Sequence, residues 1–134
     1  MNKILALSIC LVFFKISSFA QISDISEDSL KTLLCHKWGF KAIIMGGQEM
    51  TNFNETVTYE LSRDYSFQRV TEKKTENGSW KFDADKKMVI LKFKKTTLCI
   101  FNLTNGEFTI TACEGLDPAK NQLGVATIFK TIEQ

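Results

Sequence analysis

From His36 onward, apolar and polar residues alternate along the chain with a period of two, as half-buried β-strands require. Val57, Tyr59 and Leu61 alternate with Thr56, Thr58 and Glu60. Trp80 and Phe82 alternate with Ser79 and Lys81, while Val89, Leu91 and Phe93 share a face opposite Lys92 and Lys94. The pattern predicts eight strands, at 36–45, 55–62, 65–72, 77–83, 87–94, 97–104, 107–113 and 124–132. Asn105-Gly106, between Phe101/Leu103 and Phe108/Ile110, is the strongest short hairpin signal. No helix-length segment separates the strands, which excludes parallel crossovers. Ahead of them, Asp24 as N-cap with Glu27 three residues later fits a capping box, and Leu30, Leu33 and Leu34 follow at helical spacing. This predicts a helix over 24–34, too short to be stable unless it docks on the sheet.

The connections sort into two kinds. Those at 62–65, 83–86 and 104–107 are tight, whereas 46–54, 73–76 and 114–123 are longer, with 94–97 the one short member of that second set. In an up-and-down meander, alternate connections lie at the same end, so tight turns collect at one end and long loops at the other. A closed barrel with one sealed end and one open mouth explains this, and closure also removes exposed strand edges. The expected fold is all-β: an eight-stranded up-and-down antiparallel barrel whose short N-terminal helix closes one end.

Length and composition bound the rest. The chain has 134 residues, enough for one domain, with 44% hydrophobic and 24% charged residues, an ordinary globular balance. Residues 1–20 read as a secretory signal peptide, with Lys3, an apolar run from Ile4 to Phe14, and Ser18-Phe19-Ala20 before cleavage at Gln21. Lys15 cuts the run well short of the ~20 residues that cross a bilayer. The mature domain is then 21–134, exported to a periplasmic or extracellular compartment, with no transmembrane segment after cleavage. The formal charge of +2 comes from Lys3 and Lys15, so the mature domain is neutral and offers no global field for nucleic acid. It keeps Cys35, Cys99 and Cys113, an odd number that allows at most one internal disulfide.

Several short elements resemble a known family. Leu34-Cys35-His36-Lys37-Trp38 is similar to the Gly-x-Trp element that opens a lipocalin barrel. Glu60 to Phe67, followed by Gly78-Ser79-Trp80-Lys81-Phe82, resembles the strand, turn, phenylalanine and Gly-x-Trp pattern of small bacterial lipocalin-like (calycin-type) domains. His36 stands where the lipocalin glycine would be, and the arginine that covers the tryptophan near the last strand is absent, with Lys130 in reach as its substitute over Trp38. The resemblance covers about residues 30–132 and implies an eight-stranded barrel able to hold an apolar ligand.

A barrel of eight strands is only just wide enough to be filled by side chains or to hold one small ligand. Alternation directs Trp38, Phe40, Tyr59, Leu61, Phe67, Trp80, Phe82, Leu91, Phe93, Phe101, Phe108, Ile110 and Phe129 inward. Tyr59, Trp80, Phe93 and Ala112 are the mouth-side candidates, with Phe53, Leu116 and Leu123 on the rim loops; Phe67 and Arg69 complete the candidate ligand site. Arg69 shares parity with Phe67. Either it points inward and pairs with a carboxylate, a fatty-acid head group among the choices, or a bulge turns it outward and Val70 in. Cys99 and Cys113 fall near the mouth ends of neighbouring strands and are the feasible bridge, while Cys35 lies a strand length away at the sealed end. A two-residue turn at Asn105-Gly106 would put the two on opposite faces; a three-residue loop restores the face but leaves them diagonal.

Catalytic signals are weak. The single histidine, His36, follows Cys35, and neighbours on a strand point to opposite faces, so the two make a poor nucleophile–base pair. Asp83 and Asp85 flank a tight turn, where turn chemistry explains them. Lys86, Lys87, Lys92, Lys94 and Lys95 make a basic stripe on the fifth strand. The expectation is a non-enzymatic monomer without metal or cofactor, binding a small apolar ligand in the barrel. The alternative is a protein-interaction module with a filled barrel, using Ile43, Met45, Met50 and Phe53 as an apolar patch.

Overall fold

In a computed structural model, residues 21–51, 56–116 and 125–132 are described. They form one helix, α1 (Glu27–Leu34), and nine antiparallel strands. These are β1 (Lys37–Met45), β2 (Gln48–Met50), β3 (Thr58–Leu61), β4 (Ser66–Val70), β5 (Thr75–Asp83), β6 (Met88–Phe93), β7 (Thr96–Thr104), β8 (Glu107–Ala112) and β9 (Ala126–Thr131). Sequential strands from β3 to β9 pair in order, and β1 pairs with both β3 and β9, closing an eight-stranded barrel. The signal-peptide expectation for 1–20 lies outside the described residues. Among the described residues, no helix is long and apolar enough to cross a membrane.

The ninth strand is a departure from the alternation. Gly46 and Gly47, with φ of 57° and 81°, turn the chain so that β2 folds back on the upper end of β1, pairing Met45 with Gln48 and Ile43 with Met50. Left-handed backbone at both central positions of a two-residue hairpin suits glycine, which lacks the Cβ that would clash. The segment expected as a plain loop thus carries a hairpin, with β2 joined to the same sheet along the edge of β1 that β3 occupies lower down. The helix also starts later than its capping box suggested. Ser26, not Asp24, is the N-cap, its hydroxyl accepting from Ser29 N–H at 3.2 Å.

Turns at Ser62–Tyr65, 84–87 and 105–106 gather at one end, where α1 covers the opening with Leu30 and Leu34. From that sealed base a run of rings climbs the interior. Trp38 packs on Phe108 (centroids 4.5 Å apart), Phe108 on Phe129 (5.6 Å), Phe129 on Tyr59 (5.0 Å) and Tyr59 on Phe67 (6.3 Å). Trp38 is fully buried, and its indole Nε1–H donates to Leu34 O at 2.9 Å, tying the helix to the barrel floor. Lys130 does not cover it. Phe129 takes the interior on β9, so its neighbour Lys130 faces outward and is exposed, and Phe108 supplies the cover instead.

Two irregularities shift parity along the barrel wall. The pairing of β1 with β9 slips between Phe40 and Ala42, and the extra residue, Lys41, reaches Glu107 at 2.7 Å. The pairing of β7 with β8 slips between Phe101 and Thr104, where Asn102 has φ of 51°. A bulge of this kind bends the strand and exchanges the inward and outward positions beyond it. Ile100 and Leu103 therefore pack into the barrel core, and Phe101 is turned out of the interior where alternation had placed it. Phe101 instead joins Met88, Ile90 and Cys99 in a second buried cluster on the outer face of β6 and β7, with Cys113 and Leu116 packed against it.

Gly78 marks the tightest approach in the wall. A Cβ there would sit 2.4 Å from the Lys92 carbonyl oxygen and 2.6 Å from the Phe67 ring, which lies across the strand at this point. Gly78→Ala should therefore cost about 1–3 kcal/mol of stability, the range for an overpacked core. Urea denaturation measures it; an unchanged midpoint would show that both the Phe67 ring and the β6 backbone at Lys92 give way freely.

Candidate functional site

The opposite end of the barrel is open. β1, β4, β6 and β8 end there and β3, β5, β7 and β9 begin there, so one ring of strand termini surrounds a cavity of about 520 Å³. Its apolar wall comes from Val57, just ahead of β3, and from Phe93, Leu98, Ile110 and Phe129 on the consecutive strands β6 to β9. Its polar wall comes from Tyr59 on β3, Arg69 on β4, Glu76 on β5 and Lys74 in the connection between the last two. A volume of this size lies within the range of small-molecule sites. The rim candidates Phe53 and Leu123 lie outside the described residues.

Arg69 resolves the parity question. It points inward, its Nε–H donating to the Tyr59 hydroxyl at 3.1 Å and its Nη1 to Glu76 Oε1 at 3.1 Å, while Val70 is exposed on the outer face. The outward alternative fails because β3, β4 and β5 keep an unbroken register, Tyr59 opposite Arg69 opposite Glu76. Three side chains in one row across three strands can thus meet on one face. The carboxylate that an inward guanidinium requires is the chain's own.

Glu76 draws further cations. Its side chain is only 8% exposed, and Lys74 Nζ lies 3.7 Å from Oε1 and Lys94 Nζ 3.5 Å from Oε2. Burial alone would push its carboxyl up, but Lys74, Lys94 and Arg69 outweigh that and hold it below its ordinary value. Burial pushes the Tyr59 phenol up, with Arg69 offsetting part of the rise, so the hydroxyl keeps its proton while accepting from Arg69. The depressed Glu76 carboxyl contributes stability above its unfolded value of about 4.3, and that contribution is lost as pH falls through the lower folded value. Between about pH 5 and pH 3, the wild type should lose stability more steeply than Glu76→Gln. Parallel pH profiles for the two proteins would contradict the carboxylate's ionised role.

The expected site residues divide. Tyr59, Arg69, Phe93 and Ala112 line the cavity together. Phe67 is buried, 5.7 Å from Phe93 ring to ring, without lining it. Trp80 belongs to the sealed end, contrary to its expected mouth-side place, because β5 runs from mouth to base. Its backbone N–H donates to Tyr65 O at 2.8 Å, its indole Nε1–H to Ser62 O at 2.8 Å, and its ring packs 4.8 Å from Tyr65. Leu116 packs on the outer cluster and does not line the cavity. The basic stripe also breaks up, with Lys94 turned to Glu76 at the mouth and Lys87 to Asp24 (3.7 Å) at the base.

No protein-family model matches this chain, and a search of curated proteins finds no relative. The site must be read from its own chemistry.

Cys99 and Cys113 are joined, with Cα atoms 5.1 Å apart, on the outer face near the mouth. The slip in β7–β8 pairing sets Cys99 opposite Thr111, and the short 3-10 turn at Cys113–Gly115 brings Cys113 back over that diagonal. Cys35 is free and half-buried at the sealed end, where burial pushes its thiol up. His36 is exposed there too, its Nε2 2.8 Å from Thr32 O, bound to the turn of helix before it. Glu76 was missed because 73–76 read as loop; its signal was the unbroken parity running 76, 78, 80, 82 into the strand.

Proposed function

We propose that this chain is an exported, non-enzymatic lipocalin-like protein that binds or sequesters a small apolar ligand, lipid or fatty-acid-like, in the upper half of its barrel. The carrying observation is the uneven filling of the interior. Trp38, Phe108, Leu34 and Ile100 pack the base without exposure, whereas the mouth half holds a cavity of about 520 Å³ with an apolar wall. A barrel built only as a scaffold has no need of that division. The Cys99–Cys113 disulfide fits an oxidising compartment and so supports export, as does the sequence pattern of 1–20.

Ala112→Trp tests the reading. Ala112 is exposed at the rim and lines the cavity, so an indole there fills the mouth without stressing the core. Binding of a fluorescent fatty acid should weaken by about tenfold or more, with thermal unfolding unchanged. Equal binding by variant and wild type would place the ligand elsewhere.

One observation favours a second reading, a protein-interaction module. The β1–β2 hairpin exposes Met45 and Met50, adaptable apolar side chains of the kind used at protein contacts. On that reading, Met45→Ser with Met50→Ser abolishes the biological effect, whereas Ala112→Trp is silent.

A further inference from the structure

Three cations, Arg69, Lys74 and Lys94, converge at the mouth on the single carboxylate of Glu76. We propose that Glu76 is the built-in counter-ion of a head-group site, and that the ligand is an amphiphile whose acidic head displaces Glu76 from these cations. The inference rests on the carrier reading and narrows it to a chemical class.

The arrangement carries it in three ways. The cluster keeps an excess of positive charge, three cations to one carboxylate, in the polar wall above the apolar lining of Phe93, Leu98 and Ile110. A tail on that lining leaves its head group beside Arg69. The Lys74 and Lys94 side chains are 58% and 69% exposed and sit in connections between strands, free to follow an incoming anion, while Arg69 is fixed by its bonds to Tyr59 and Glu76. The planar guanidinium suits a carboxylate or phosphate oxygen pair, and the Tyr59 hydroxyl adds a proton donor next to it. Lys94 holds φ of 53° in the tight turn that delivers it. With no ligand bound, Glu76 keeps the inward cations satisfied, while competing with the ligand for them. The same carboxylate makes the site discriminate against neutral apolar molecules, which gain nothing by displacing it.

Calorimetric titration of the mature protein with dodecanoate and with dodecanol tests this. The acid should bind more tightly than the alcohol. Glu76→Gln should strengthen acid binding about tenfold and leave the alcohol unchanged. Lys74→Gln with Lys94→Gln, at exposed side chains that spare the fold, should weaken the acid alone. If Glu76→Gln weakens both ligands alike, or the acid and alcohol bind equally in every protein, the head-group inference is overturned and the carrier reading stands. If neither ligand binds any of the proteins, both fall. Acetate as a third titrant separates head-group affinity from tail burial; acetate binding as tight as dodecanoate would overturn the amphiphile class in favour of a free anion.

Discussion

Trp38→Ala should lower the unfolding free energy by about 3–5 kcal/mol, the cost of emptying a large aromatic site in a packed core. Few positions in the chain join so much. The indole is fully buried, lies 4.5 Å from Phe108 ring to ring, and donates to Leu34 O, so its loss opens a cavity and releases the helix that seals the base. The barrel pairs β1 with β9 through this same segment, Trp38 opposite Thr131. Urea denaturation by tryptophan fluorescence from Trp80, the one remaining tryptophan, gives the measurement. Trp38→Phe should recover most of the packing but not the hydrogen bond. A Trp38→Ala variant as stable as wild type would mean that the base is not the cohesive core of the barrel.

Removing the disulfide should cost nearly as much. Cys99 and Cys113 are 14 residues apart, and a loop of that length restrains the unfolded chain by about 3 kcal/mol in the chain-entropy picture. Cys99→Ser with Cys113→Ser also puts a hydroxyl where Met88, Ile90 and Phe101 pack, which adds to the loss. The contrast with reduction of the wild type separates the two contributions. Cys35→Ser, a thiol outside the bridge, is the control and should leave the unfolding midpoint near wild type. A double serine variant with an unchanged midpoint would show that the crosslink adds nothing to the fold.

Much of the barrel was legible because a period of two, once fixed by buried rings, propagates along each strand. Val57-Tyr59-Leu61 and Val89-Leu91-Phe93 read correctly as inward rows for that reason, and the sorting of tight and long connections distinguished the two ends. Reading failed where a single residue broke the count. Lys41 and the stretch around Asn102 insert bulges that neither side-chain chemistry nor alternation announces, and the second sent Phe101 outward. Gly46-Gly47 was a hairpin signal overlooked because the short strand after it, Gln48–Met50, is exposed throughout and has no apolar alternation. The candidate site was half legible. Tyr59, Phe93 and Ala112 follow from parity, and Arg69 was recognisable as inward-directed only with a partner in view. The parity of 76 with 78, 80 and 82 marks Glu76 as inward, but that it faces Arg69 follows only from the pairing of β4 with β5, which lies in tertiary structure and not in local pattern.

The division of the interior into a packed base and an open mouth stands or falls on what the protein holds. Native mass spectrometry of the protein purified from the cells that make it, followed by organic extraction and lipid analysis, tests it most directly. The expected result is a stoichiometric apolar molecule with an acidic head group, lost in Ala112→Trp. A clean ligand-free mass, together with no fluorescence enhancement of an added fatty-acid probe, would contradict the carrier reading and turn attention to a protein partner at the β1–β2 hairpin.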